Sequence, residues 1–193
     1  MTDIRVGKRF FDAANWATEL HAGASGTRTP SVAQVLGVAS LVLGDSGTSR
    51  EAIAGMIVDT GAEHLDEGEL RDRLGKKAAR LVVASTEARR DPERLDEETD
   101  ASVLRICAAV TLGEVQELQR DLRRHGSVAF ARFSTPPTAM LDRYRDLVTV
   151  FRRRLGRSSM LTAELRAAVA ELERDAELET AIAAWRVAHV DAA

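Results

Sequence analysis

The stretch from residue 100 to residue 118, DASVLRICAAVTLGEVQEL, decides the fold of this chain. Its apolar residues recur mostly three or four positions apart: Val103, Ile106, Val110, Val115 and Leu118. That spacing is typical of one face of an α-helix. Asp100 is a favoured N-cap residue, and Gly126 is a favoured stop. The stretch therefore predicts a long helix from Asp100 to near Gly126.

Helical periodicity continues on both sides of this stretch, and no alternating strand pattern exceeds four residues. Further helices are predicted over residues 9–21, 31–43, from 48 through 57, 66–74, 76–84, 136–155, and from 159 to about 188 with or without a break. The segment from Glu87 to Glu98 is dense in charge and contains Pro92, so we predict a loop there. The sequence thus predicts an all-α protein of about eight helices.

Residues 1–175 are predicted to form the helical domain, with residues 176–193 as a C-terminal helical extension. The extension carries Leu178, Ile182 and Trp185 at helical spacing, which suits packing on its own core or on a second copy of the chain. A homo-oligomer is therefore one of the expected outcomes.

Composition excludes several classes of protein. The chain has 193 residues, of which 45% are hydrophobic, and a formal net charge of −3. This balance gives no electrostatic case for nucleic acid as a partner. The single cysteine, Cys107, excludes an internal disulfide framework. The apolar run around Val35–Leu43 is far shorter than a bilayer span, so we expect a soluble, cytoplasmic protein with no membrane partner.

Composition and spacing alone reveal no catalytic motif, but the order of several segments resembles one family. The segments are ELHAG at 19–23, PSVAQVLGVA at 30–39, EAIAGMIVDT at 51–60 and LRDRLG at 70–75. In this order they resemble the HD-domain phosphohydrolases, in particular the small alarmone (ppGpp) hydrolases and the hydrolase domain of the bifunctional alarmone synthetase/hydrolases. The resemblance implies an all-α HD-domain bundle over residues 9–175.

The resemblance also implies a site for one divalent metal, usually manganese, held by two histidines and two aspartates. On this chain the implied positions are His21, residues 58 and 59, and residue 110. Position 59 is Asp59, but positions 58 and 110 are Val58 and Val110, which offer no ligand atom. The family's catalytic Glu-Asp pair falls on Ala62 and Glu63. We therefore expect no metal cofactor.

Other residues leave alternatives open. Glu114 lies one helical turn after Val110, and His21, Asp59, Glu63 and Glu114 together form the candidate catalytic set. A rebuilt metal site needs ligands placed to tenths of an ångström, whereas one turn is a displacement of about 5.4 Å. The resemblance implies Arg28, Gln34 and Tyr144 as contacts for a small-molecule ligand.

Four functions follow as hypotheses. We prefer a catalytically degenerate HD-domain protein that binds a nucleotide or an acidic metabolite. The alternatives are a metal-independent enzyme that uses the same cleft for acid/base chemistry, a weak residual metal-dependent phosphohydrolase, and a structural or partner-binding protein.

Overall fold

The computed structural model describes residues 7–23, 32–60, 65–90, 92–133, 135–156 and 158–190; within these ranges, the side chains of residues 21–23, 32, 92, 132, 178 and 181–190 are not described. The described residues form nine α-helices and one 3₁₀ helix, with no strand among them. The helices are α1 (Lys8–Gly23), α2 (Val32–Gly44), α3 (Ser49–Asp59), α4 (Glu67–Leu74), α5 (Lys76–Arg90), α6 (Pro92–Glu97), α7 (Ala101–His125), the 3₁₀ helix (Gly126–Arg132), α8 (Pro137–Arg154) and α9 (Met160–Val190). The predicted all-α class is confirmed.

Helix α7 is the centre of the fold. Every residue from Ile106 to Gly113 is buried, so this part of the helix is covered on all sides. A helix buried all round needs neighbours on every face. Here α2, α3, α5, α8 and α9 supply them. As predicted, α7 begins after the N-cap Asp100 and ends before Gly126.

Two glycines let α2 approach the core closely. A Cβ placed on Gly113 of α7 would lie 3.3 Å from Cγ2 of Val38, and one on Gly55 of α3 would lie 3.1 Å from Cγ1 of the same valine. Both distances are shorter than ordinary van der Waals contact. The valine on α2 therefore packs directly against the backbones of α3 and α7.

A largely buried ionic network joins four helices at one end of the bundle. Arg105 of α7 donates to Glu51 at 2.5 Å and to the Asp45 carboxylate at 3.3 Å. Asp45, in the turn after α2, also accepts from the hydroxyl of Ser159 at 3.0 Å, just before α9. Glu51 completes the capping box with Thr48 at the start of α3, as the sequence predicts. The network therefore fixes the relative positions of α2, α3, α7 and α9.

The prediction of a loop from Glu87 to Glu98 is wrong. Helix α5 continues to Arg90 instead of ending at Ala84, and α6 occupies Pro92–Glu97. The physical reason is burial, because Ala88 and Leu95 both pack into the core. Pro92 is compatible with this arrangement, since proline is tolerated at the first position of a helix.

The last helix, α9, runs without a break from Met160 to Val190 and crosses residue 175, where the extension was predicted to begin. Gln119 of α7 donates to the carbonyl oxygen of Ala168 at 3.0 Å, which fixes α9 against the central helix.

None of the helices in the described ranges combines the length and the apolar character that crossing a bilayer requires.

Replacing Glu51 with Gln tests the ionic network. Burial by itself raises the pKa of Glu51, but hydrogen bonds from Thr48 and Ser102 and the charge of Arg105 outweigh it and leave the pKa below its ordinary value of 4.5. Gln keeps the capping-box hydrogen bond and removes the charge opposite Arg105. We expect a loss of about 3 kcal/mol in the free energy of unfolding at pH 7, measured by urea denaturation.

The matched control is Glu69→Gln, a partly exposed glutamate near the start of α4 that pairs with Arg73. The Glu69→Gln variant should lose less than about 0.5 kcal/mol in the free energy of unfolding. The contribution of Glu51 is complete above pH 4.5 and is lost as the pH falls through its lowered pKa. The difference in the free energy of unfolding between wild type and Glu51→Gln must therefore become smaller in acid. A difference that stays constant down to pH 2 would refute the role of the Glu51 charge in the network.

Candidate functional site

Asp59 is the last residue of α3, where it lies half-buried. Its Oδ1 accepts a hydrogen bond of 3.4 Å from Nε2 of Gln34, a buried residue of α2. A carboxylate at the C-terminal end of a helix faces the negative end of the helix dipole. This position is therefore favourable only when donors or cations lie nearby.

Arg89 of α5 supplies that cation. Its Nη2 donates to Oε1 of Glu114 on α7 at 2.7 Å. Burial alone lowers the pKa of Arg89, but the charge and hydrogen bond of Glu114 and the charge of Asp59 outweigh it and raise the pKa above its ordinary value. The guanidinium therefore stays charged and links α5 electrostatically to the ends of α3 and α7.

The two valines at the positions of the implied metal ligands belong to the core. Val58 is 7% exposed and Val110 is 1% exposed. Val110 lies in the part of α7 that is covered on all sides, where a hydrocarbon side chain is favourable and an unpaired carboxylate is costly. The space at these positions is thus filled by apolar packing.

A cavity of about 280 Å³ opens beside Arg89, between α5, α7 and α8. Its polar lining consists of Arg89, Glu114, Arg143, Tyr144, Thr111 and Thr135, and its apolar lining of Leu95, Phe133, Met140 and Leu147. The volume lies just below the roughly 300–1,000 Å³ typical of small-molecule pockets. The size therefore suits a small ligand.

The charge of this cavity is positive. Arg89 and Glu114 offset each other, whereas Arg143 forms no ion pair with any carboxylate in the described part of the chain. Arg143 is held in place by a hydrogen bond of 3.2 Å from its Nη2 to the carbonyl oxygen of Arg89. In addition, Nη1 of Arg89 is buried, and no described residue accepts a hydrogen bond from it. The cavity thus keeps donor groups that suit an anionic ligand.

The structure brings four of the seven predicted site residues to one region. Asp59 contacts Gln34, and Glu114 and Tyr144 line the cavity, with Arg89 between the two groups. The other three, Arg28, Glu63 and the side chain of His21, lie outside the described residues.

Arg89 is not among the site residues predicted from the sequence, because the sequence predicts a loop over its segment. The signal was present, however: Ala78, Leu81, Val82, Ser85 and Ala88 continue the helical spacing of α5 without interruption. Extending the predicted helix by this pattern places Arg89 on α5. Helix α5 packs against α3, the helix that ends at Asp59.

Among the described residues, the groups near Asp59 do not suit a divalent cation. Asp59 accepts a hydrogen bond from the amide of Gln34, and the nearby charge of the Arg89 guanidinium would repel a metal ion. Among the side chains that the structure describes, no three from His, Cys, Asp and Glu come together as metal ligands.

Burial raises the pKa of the Cys107 thiol to about 12, so this residue is a neutral part of the core and not a nucleophile.

Comparison with known families finds a likeness in the first part of the chain. Residues 13–106 match the family model of the HD domain. This segment is similar to an HD domain. The match starts in α1 and ends near the start of α7, so it includes Asp59 and Arg89, whereas Glu114 and Tyr144 lie after it. No curated protein matches this chain.

A double-mutant cycle tests the ion pair between Arg89 and Glu114. Arg89→Met should lower the free energy of unfolding by about 3 kcal/mol, because it leaves the carboxylate of Glu114 without its partner. Glu114→Gln alone should cost less, since the amide oxygen of Gln can still accept a hydrogen bond from Arg89. The double variant should be more stable than the sum of the two losses predicts, with a coupling of about 1–3 kcal/mol in urea denaturation. Additive losses would show that the pair contributes nothing.

Proposed function

We propose that this HD domain is catalytically degenerate and binds a nucleotide or a small acidic metabolite in the cavity beside Arg89. The observation that carries the proposal is the position of the Arg89 guanidinium, which pairs with Glu114, interacts with Asp59 and lines the cavity. In this reading, the protein is a binding or regulatory module and not a metal-dependent phosphohydrolase.

The side chains at the implied metal-ligand positions do not support metal-dependent hydrolysis. A divalent metal needs several oxygen or imidazole ligands to offset its lost hydration. Val58 and Val110 provide none, and the carboxylate of Asp59 already has a cationic neighbour. Because Arg89 belongs to the chain and cannot dissociate, a metal ion would have to bind against its charge.

The charges that line the cavity favour an anionic ligand. Arg143 has donors and a positive charge that no described carboxylate neutralises. Arginine is well suited to planar, bidentate contacts with carboxylate or phosphate oxygens. We therefore assign Arg143 to the anionic group of the ligand, with Arg89 Nη1 as a second donor.

The remaining lining fits the organic part of the ligand. The rings of Tyr144 and Phe133 and the side chain of Met140 give the cavity an apolar wall. Aromatic rings of this kind stack on the planar rings of ligands. The volume of about 280 Å³ favours a mononucleotide or a smaller phosphorylated or carboxylated metabolite over a larger ligand.

Calorimetric titration of the full chain with AMP, GMP and inorganic pyrophosphate tests this proposal. We expect saturable binding of at least one of the three, with no release of phosphate. Arg143→Gln should weaken that binding on the order of tenfold, because it removes one charge-assisted contact.

Arg145→Gln is the matched control. Arg145 lies on the same helix as Arg143, but its guanidinium is engaged with Glu173 and Asp142 and does not line this cavity. The proposal fails if none of the three compounds binds, or if both variants weaken binding equally. Release of phosphate that requires added Mn²⁺ would instead support the metal-dependent alternative.

A further inference from the structure

A second cavity, of about 500 Å³, lies at the opposite end of α3 and α5 from Asp59 and Arg89. It is formed where the N-terminal ends of three helices meet, at Lys8 of α1, Ser49 of α3 and Lys76 of α5. Since α3 spans 11 residues, this cavity and the HD site are separated by about 16 Å of helix. They are therefore two distinct sites.

The charge of the second cavity sets it apart from the rest of the surface. Five cationic side chains line it: Lys8, Arg9, Arg50, Lys76 and Lys77. No Asp or Glu is among its lining residues, although the whole chain has 30 acidic residues against 27 basic ones. Within the described part of the chain, none of the five forms an ion pair, whereas surface arginines such as Arg123 and Arg145 are each paired with two carboxylates.

This concentration of charge is unfavourable for the empty protein. Like charges within one cavity repel each other, and cations near helix N-termini also face the positive end of the helix dipole. Helix α4 begins after an aspartate cap, Asp66, and has two glutamates in its first turn. Helix α5 instead begins with Lys76 and Lys77 directly after Gly75, which has no capping side chain. A bound anion would offset both kinds of repulsion.

The geometry around Gly75 concentrates the cations further. A Cβ placed on this glycine would lie 3.5 Å from Nη1 of Arg9, so the guanidinium of α1 reaches the start of α5. Gly75 itself has a φ of +81°, a conformation that favours glycine. The guanidinium of Arg9 therefore lies near the start of α5, where Lys76 and Lys77 also line the cavity.

The floor of the cavity is apolar. Phe10, Ile53, Leu74 and Ala78 are all buried, and each lines the cavity beneath the cationic rim. A volume of about 500 Å³ is well within the range of small-molecule pockets. The cavity thus has room for an organic group as well as for its anionic part.

We propose that this cavity is a second ligand site, which binds a polyphosphorylated organic molecule of the size of a nucleoside triphosphate. The phosphates contact Arg50, Lys76 and Lys77 at the rim, and the organic group packs against Phe10 on the floor. The site does not depend on the function proposed for the cavity beside Arg89, since the two share no lining residue.

Calorimetric titration of the full chain with ATP, and separately with inorganic tripolyphosphate, tests this site. Lys76→Gln combined with Lys77→Gln should weaken ATP binding at least about tenfold, because two charge-assisted contacts are lost. The same variant should unfold at the same or a higher temperature than wild type, since it removes two cations from a helix N-terminus. Loss of binding together with unreduced stability separates a ligand role from a structural one.

The matched control is Arg120→Gln combined with Arg124→Gln, which removes two exposed positive charges from the last turns of α7 and leaves the cavity intact. The proposal is overturned if ATP does not bind at millimolar concentration, if the Lys76/Lys77 variant binds ATP like wild type, or if the Arg120/Arg124 control loses as much affinity. Tripolyphosphate binding as tight as that of ATP would overturn the role of the apolar floor.

Discussion

The complete burial of α7 from Ile106 to Gly113 is the constraint on which the rest of the structure depends. A helix covered on every face must be surrounded by other helices, and small residues such as Gly113 allow α2 to come within van der Waals contact of its backbone. The ionic network around Arg105 then fixes one end of this arrangement. Packing therefore determines which side chains can meet at the opposite end, where Asp59 lies.

The same constraint explains the chemistry of the candidate site around Asp59 and Glu114. Val110 lies inside the buried part of α7, where a carboxylate would lack water and partners. One turn later, Glu114 lies at the edge of the core and is only half-buried, so its carboxylate is stable there with Arg89 as its partner. The guanidinium of Arg89 thus balances the charge of Glu114. Both residues line a cavity that Arg143 also lines.

Sequence patterns predicted most of the fold but only part of the site. Helical spacing and caps such as Asp100 and Thr48 identified α3, α4 and α7 because these signals are local. The loop predicted for the charged segment around Arg89 is wrong, since the helical structure of this segment depends on burial of Ala88 and Leu95 against distant elements. The cationic cavity could not be found from local patterns, because its residues come from three helices that meet only in the folded chain.

The central proposal is that the cation near Asp59 and Glu114 is the guanidinium of Arg89 and not a metal ion. The most direct test is the metal content of the full chain, expressed with supplementary manganese, purified without chelator and measured by mass spectrometry. The account predicts well under about 0.1 equivalent of metal per chain, with no change in the Asp59→Ala variant. About one equivalent of manganese per chain, lost in Asp59→Ala, would contradict it.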